Sequence, residues 1–455
     1  MDNPLRYAAV NCWERYDSAQ DQAAMDILGA EFLDFLTHCK TERETVAWVM
    51  RHALERGFSQ EFSQAQVVRS FRSKAVLLAR RGTESLRTGL RLIAAHADTP
   101  HLDLKQHPLH EECRVALMKT HYYGGIKKYQ WLARPLAVHG VVVLMNGEVR
   151  TVCLGESDDD PVLTIMDILP HLSSKQRDET VEKAFIAEKL NVVVGHSPSS
   201  TTTTDPVAQR VLEILHATYG IIEEDLYSAE LQIVPAGRAR YVGLDRSLLG
   251  GYGQDDRLCV FAAYTAFMQA APGSQTQVLL LWDREEVGSE GATGAKSRFM
   301  VDTLTDLIEA WEPHCAVRHV LARTKAISAD VHAPMDPDYQ DVHDKHNAAL
   351  LGFGPVFSKF TGHRGKVGAS EADAEYVAWF RRVLAQKKIP WQMAGMGKVD
   401  EGGGGTVAKD MAVYGMEIID FGPGVLSMHS PFEISSKADL YATVQAYQAF
   451  YQSQE

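Results

Sequence analysis

Near its start the chain places apolar residues at helical spacing. Ala23-Ala24-Met25-Asp26-Ile27-Leu28 runs on through Phe32, Phe35 and Leu36, and Thr45-Val46-Ala47-Trp48-Val49-Met50 repeats the pattern. This predicts surface-packing helices over residues 1–80. Beyond them come short apolar runs that stop at charged or glycine-rich segments: Leu90-Arg91-Leu92-Ile93-Ala94-Ala95, Val278-Leu279-Leu280-Leu281-Trp282, Ala326-Ile327-Ser328-Ala329 and Met416-Glu417-Ile418-Ile419. Such continuous short runs are expected of strands buried on both faces of a largely parallel sheet. Helix-like stretches at 257–271, 303–312, 369–387 and 406–414 lie between them. The alternation predicts an α/β domain with a mostly parallel central sheet and flanking helices.

The middle of the chain has a different texture. Strand-like stretches at 114–119, 136–145 and 149–154 are separated by turns such as Asn146-Gly147, and the polar run from Ser197 to Thr204 reads as an exposed loop. With 455 residues the chain exceeds the roughly 250–300 that one core sustains. The division expected is a split domain, residues 1–99 and 245–455, with an inserted β-rich domain at 100–244.

Composition narrows the partners. A net charge of −13 is opposite in sign to the basic footprint of nucleic-acid binders. The stretch Met1-Asp2-Asn3-Pro4-Leu5-Arg6-Tyr7 lacks the basic and apolar regions of a secretory signal, and no apolar run approaches the ~20 residues of a membrane span. A soluble, cytoplasmic protein is expected. The six cysteines are scattered without a CxxC pair, which predicts buried, reduced thiols.

The chemistry lies just after the buried runs. His96-Ala97-Asp98 follows the first, Glu285-Glu286 follows Leu279–Trp282, Asp330 follows Ile327-Ser328-Ala329, and His429 comes ten residues after Ile419. Asp255-Asp256 precedes a helical stretch. In α/β sheets ligands bind beyond the carboxyl ends of the strands, so these five elements are placed to converge. Two imidazoles with several carboxylates suit a pair of divalent ions, zinc foremost, with cobalt or manganese as related choices. Asp255 is the bridging candidate; His96 and Asp330 would hold one metal, Glu286 and His429 the other. Asp98 is positioned to fix the His96 tautomer. Glu285 is left as the general base for a water bridging the metals.

The strings Ala95-His96-Ala97-Asp98-Thr99-Pro100, Asp255-Asp256-Arg257-Leu258-Cys259, Asp283-Arg284-Glu285-Glu286-Val287-Gly288-Ser289, Ile327-Ser328-Ala329-Asp330 and Met428-His429-Ser430 resemble, in order, the signature elements of the aspartyl aminopeptidase family of co-catalytic di-zinc metallopeptidases. The resemblance implies a fold of zinc-peptidase type. It implies the same ligands (His96, Asp255, Glu286, Asp330, His429), Glu285 as base, and a cis peptide bond at Asp255-Asp256. It also implies that the inserted domain mediates dimerisation, that dimers assemble into a tetrahedral homododecamer, and that His139 reaches a partner's active site. Members acting on acidic N-termini carry a lysine shortly after a Gly-Pro-Val-Ile-like segment. Here Gly354-Pro355-Val356-Phe357 is followed by Ser358 and then Lys359, and a one-residue shift on a strand reverses the face, so acidic preference stays open. His332 is the candidate for a histidine that the family supplies after the aspartate to stabilise the oxyanion.

The run Gly402–Gly405 before Thr406 lacks the Gly-Lys-Ser/Thr of a phosphate loop, leaving a flexible turn or a pocket wall. The function expected is hydrolysis of the N-terminal residue of peptides. Two other readings use the same residues: a metal-dependent carboxypeptidase or deacylase, and a non-catalytic assembly or cargo protein with a relict site.

Overall fold

The computed structural model describes residues 5–454; residues 1–4, and with them most of the stretch read for targeting signals, lie outside the described set. The chain forms two compact units. The first takes the residues up to Asp98, Ala239–Met428 and those from Phe432 onward; the second takes Thr99–Arg238 with His429–Pro431.

The first unit is built on an eight-stranded sheet. Its middle is parallel: Thr276–Trp282, Leu90–His96, Lys325–Ser328 and Glu417–Gly422 lie side by side in that order. Along these strands alternate residues enter opposite cores. Ile93, Ala95, Leu279, Leu281, Ile327 and Ile419 face one core, while Leu92, Ala94, Val278, Leu280, Ala326 and Ile418 face the other. The helices Ala19–His38, Glu42–Glu55, Gln254–Gln269, Ala374–Lys387 and Lys437–Tyr451 supply residues to the first core, and Phe299–Trp311 to the second. Burial on both faces explains why the runs are continuously apolar.

Two expectations need correcting. The sheet is mixed rather than mostly parallel. Ala75–Arg80 joins Thr276–Trp282 antiparallel, and Val356–Ser358 does the same against Glu417–Gly422. The helices expected throughout residues 1–80 also stop early, because Gln66–Phe71 and Ala75–Arg80 form an antiparallel hairpin. All six residues of Ala75–Arg80 are buried, and a short, wholly buried segment is satisfied by a sheet position. A four-stranded antiparallel sheet (Arg240–Val242, Leu248–Gly251, Glu433–Ser436, Val425–Leu426) completes this unit.

The second unit is a seven-stranded antiparallel sheet, against which the helix Pro206–Tyr219 packs through Val207 and Val211. It includes Val115–Tyr123, Leu136–Val143 and Val149–Leu154. All six cysteines are free thiols, but only Cys12, Cys39 and Cys259 are buried. Cys113 sits in a tight turn at φ 51 and Cys153 alternates outward on its strand, which exposes both. Among the described residues, no helix is long and apolar enough to cross a membrane.

Candidate metal centre

Parallel strands deliver their carboxyl ends to one place. Leu90–His96 ends on His96, which pairs in register with Trp282 of its neighbour. Asp283 and the left-handed Arg284 (φ 69) then turn the chain so that Glu285 and Glu286 follow at once. Lys325–Ser328 ends two residues before Asp330. Asp255 and Asp256 arrive at the start of the Gln254–Gln269 helix, through a cis peptide bond and with non-helical backbone angles.

Ligand atoms of His96, Asp255, Asp256 and Asp330 all lie within 4.8 Å of one another, and so do those of His96, Glu285 and Glu286. His96 Nε2 is 3.3 Å from Asp255 Oδ1 and 4.0 Å from both Glu285 Oε2 and Asp330 Oδ1. The other ring nitrogen, Nδ1, faces the Asp98 carbonyl at 3.1 Å and its carboxylate at 3.3 Å. With two acceptors before it, Nδ1 carries the proton, which leaves the Nε2 lone pair facing the carboxylates. The same Asp98 carboxylate accepts the Glu285 N–H at 3.1 Å and the Glu286 N–H at 3.2 Å. One side chain therefore orients the imidazole and the glutamate pair together.

The electrostatics call for a cation. Six carboxylates, Asp98, Asp255, Asp256, Glu285, Glu286 and Asp330, are gathered with the His96 imidazole. Burial, with repulsion from Asp255, pushes Asp256 well above the usual carboxylate range. Burial together with Asp256 does the same to Asp330. Burial raises Glu285 to about 7, reinforced by Asp98 and Asp255. His96 moves up despite a burial penalty, because Asp255 and Asp98 hydrogen-bond its ring. Asp256 Oδ1 is buried without a hydrogen-bond partner among the described residues. Oxygen-rich donors, imidazole nitrogen and a buried acceptor without a hydrogen bond fit a hard or borderline divalent ion.

Two contributors escaped the sequence reading. Asp256 was read only as the neighbour of Asp255, yet it stands in the cluster and also accepts the His96 backbone N–H at 3.3 Å. Glu433 accepts the backbone N–H of Gln254 at 2.5 Å and of Asp255 at 3.2 Å, fixing the approach to the cis bond. Its only sequence signal was a carboxylate four residues after His429.

The remaining candidates are placed as follows. His429 belongs to the short segment grouped with the second unit, where its Nδ1 lies 2.9 Å from the Gly125 carbonyl. His139 is buried in the second unit's sheet, with Nε2 3.0 Å from Glu156 Oε1. His332 is buried, its Nδ1 3.0 Å from the Ser358 hydroxyl. Lys359, half-buried, comes directly after the strand that ends on Ser358, and its carbonyl accepts the Ala372 N–H at 2.9 Å.

An α/β scaffold with a buried imidazole–carboxylate cluster at its strand ends has the make-up of a metal-dependent hydrolase. The family model described as aminopeptidase I zinc metalloprotease (M18) matches residues 35–451, and the chain belongs to that family. The probable M18 family aminopeptidase 1 of Clostridium acetobutylicum is 43% identical over 463 residues, 99% of each chain. A crystal structure of an M18 aminopeptidase from Thermotoga maritima has a TM-score of 0.94 at 42% identity, covering 99% of this chain and 100% of that one. A more distant structure, the mApe1 dodecamer of S. cerevesiae, shares the fold at 20% identity and a TM-score of 0.77 over 94% of this chain and 97% of that one. The protein is thus a zinc metallopeptidase of aminopeptidase type, which sets aside the deacylase and cargo readings.

Proposed function

We propose that the protein removes the N-terminal residue of peptides with the help of two divalent ions, zinc by family, which His96, Asp255, Glu286, Asp330 and His429 would hold, Asp255 being the carboxylate that would serve both. The observation that carries this reading is the double engagement of Asp98, which holds the His96 ring and the backbone of Glu285 and Glu286 at once. When bound, the ions would supply Lewis-acid polarisation of the scissile carbonyl and an anchor for the free α-amine. Glu285 takes a proton from the attacking water and passes it to the leaving amine. Asp98 keeps Nε2 of His96 turned to the cluster. The Gly125 carbonyl in front of Nδ1 makes Nε2 the lone-pair nitrogen of His429.

The second unit is proposed as the assembly module, giving dimers and, as in the yeast relative, a dodecamer. Val162, Met166, Ile168, Leu169, Leu172 and Ile186 are exposed on it, an apolar surface that suits self-association. His139 is the proposed contact to a neighbouring site, and Lys359 the proposed reader of an acidic side chain.

Turnover of free-amine peptides with rejection of N-blocked ones tests the reaction. Glu285→Gln tests the base: turnover should fall by about 10²–10⁴, with metal content by elemental analysis unchanged. A variant that still turns over at the wild-type rate would remove Glu285 from the role.

A further inference from the structure

The loop that carries Glu285 and Glu286 is closed by a contact that has no part in the chemistry above. Asp283, the residue after the strand Thr276–Trp282, gives its N–H to the Thr293 carbonyl at 3.3 Å. Its Oδ2 accepts the Thr293 hydroxyl at 2.6 Å. Asp283 and Thr293 are both buried. Main chain and side chain together therefore join the two ends of the loop 283–293.

Inside that loop the backbone is held away from its easy conformations. Arg284 (φ 69) and Ser289 (φ 60) are left-handed although both carry side chains. Such angles persist where the surroundings over-determine them. Arg284 accepts the Ser289 N–H on its carbonyl at 2.7 Å and donates from Nε to the Glu290 carbonyl at 2.6 Å. The chain leaving the loop is pressed against it: a Cβ at Gly294 would come within 2.2 Å of the Ser289 carbonyl oxygen. The bonds of Arg284 give the loop its shape, but they lie wholly within it and do not set where it stands. Its place is set at two points. One is the Asp98 carboxylate, which takes the Glu285 and Glu286 amides. The other is its root, where Asp283 and Thr293 meet at the end of the strand, two residues before Glu285.

A base works only within about 2.6–3.2 Å of the proton it takes, and a misplacement of about 1 Å can cost ~10²-fold. We propose that Thr293 is a positioning residue: by locking Asp283 at the root of the loop, its hydroxyl sets where the Glu285 carboxylate stands. This rests on the reading of Glu285 as base.

The test removes the hydroxyl and then restores it. Thr293→Val keeps the shape of the side chain and Thr293→Ala does not, but both break the bond; Thr293→Ser keeps the bond. On an aminoacyl anilide, kcat should fall by about 10–100-fold in Thr293→Val and Thr293→Ala, with KM and zinc per chain near wild type. Thr293→Ser should recover most of the loss. A contact that serves only the fold would lower the melting temperature or the zinc content and leave kcat per zinc-loaded chain at the wild-type value. That result overturns the proposal, as does a Thr293→Ser enzyme no faster than Thr293→Val. Failure of both hydroxyl-free variants to fold overturns it too, because it assigns the pair to the scaffold. Glu285→Gln is measured alongside, and its turnover at the wild-type rate would instead overturn the reading of the base, whatever Thr293 does.

Discussion

Glu433 shows how a single carboxylate can govern a site without belonging to it. Its Oε2 takes the N–H groups of both Gln254 and Asp255, and the Gln254 side chain is held in turn by the Glu433 carbonyl at 2.7 Å and the Ser435 hydroxyl at 2.5 Å. Glu433→Ala leaves two buried amides unpaired. An expected loss of about 1–3 kcal/mol in stability should come with lower zinc occupancy, measured by denaturant unfolding and elemental analysis. Unchanged occupancy would mean that the backbone at Asp255 holds its place without this anchor. At this scale the sequence was informative wherever a chemical group stands at the end of an apolar run, as His96, Asp98, Glu285 and Asp330 do. Glu433 was hidden because its role exists only once Glu433–Ser436 has paired with Leu248–Gly251, a contact across more than 180 positions.

Individual elements were legible in kind more than in direction. The helices at 19–38 and 42–55 follow their apolar spacing, and the second starts on a Thr41/Glu44 capping box. Hydrophobic pattern says that a strand is buried but not which way it runs, and so the antiparallel neighbours of the central strands could not be foreseen. The C-terminal helix Lys437–Tyr451 carries a further dependence. In its first turn Asp439 is buried and accepts the N–H groups of Gly352 at 2.8 Å and Gly354 at 2.7 Å. Burial outweighs these bonds and raises its carboxyl to about 6, against 3.8 for the free group. Between those values the folded protein holds a proton that the unfolded chain releases, so this residue's contribution to stability falls as pH rises from about 4 to 6. Asp439→Asn removes that titration. The stability advantage of wild type over the variant should shrink by about 3 kcal/mol across the window, read from urea midpoints at pH 4 and pH 6.5. An advantage that grows with pH would show an ionised, well-paired carboxylate instead.

For the whole molecule, the gathered carboxylates make metal a structural partner as well as a catalytic one. Chelation should lower the melting temperature, and zinc at about 100 times its dissociation constant should restore about 2.7 kcal/mol per site. A melting temperature indifferent to chelator and zinc would argue against a native-state metal centre. Sedimentation tests the assembly role of the second unit, and a monomer at micromolar concentration would withdraw it. The centre also has a history within the chain. Its proposed ligands extend from His96 to His429, and Glu433, which seats Asp255, comes four residues later. On a ribosome the first imidazole would emerge long before the carboxylates that complete its surroundings. On the proposed ligand set, complete zinc capture has to wait until His429 has followed His96, so a nascent or truncated chain that stops between them has no complete hydrolytic centre with which to attack its neighbours.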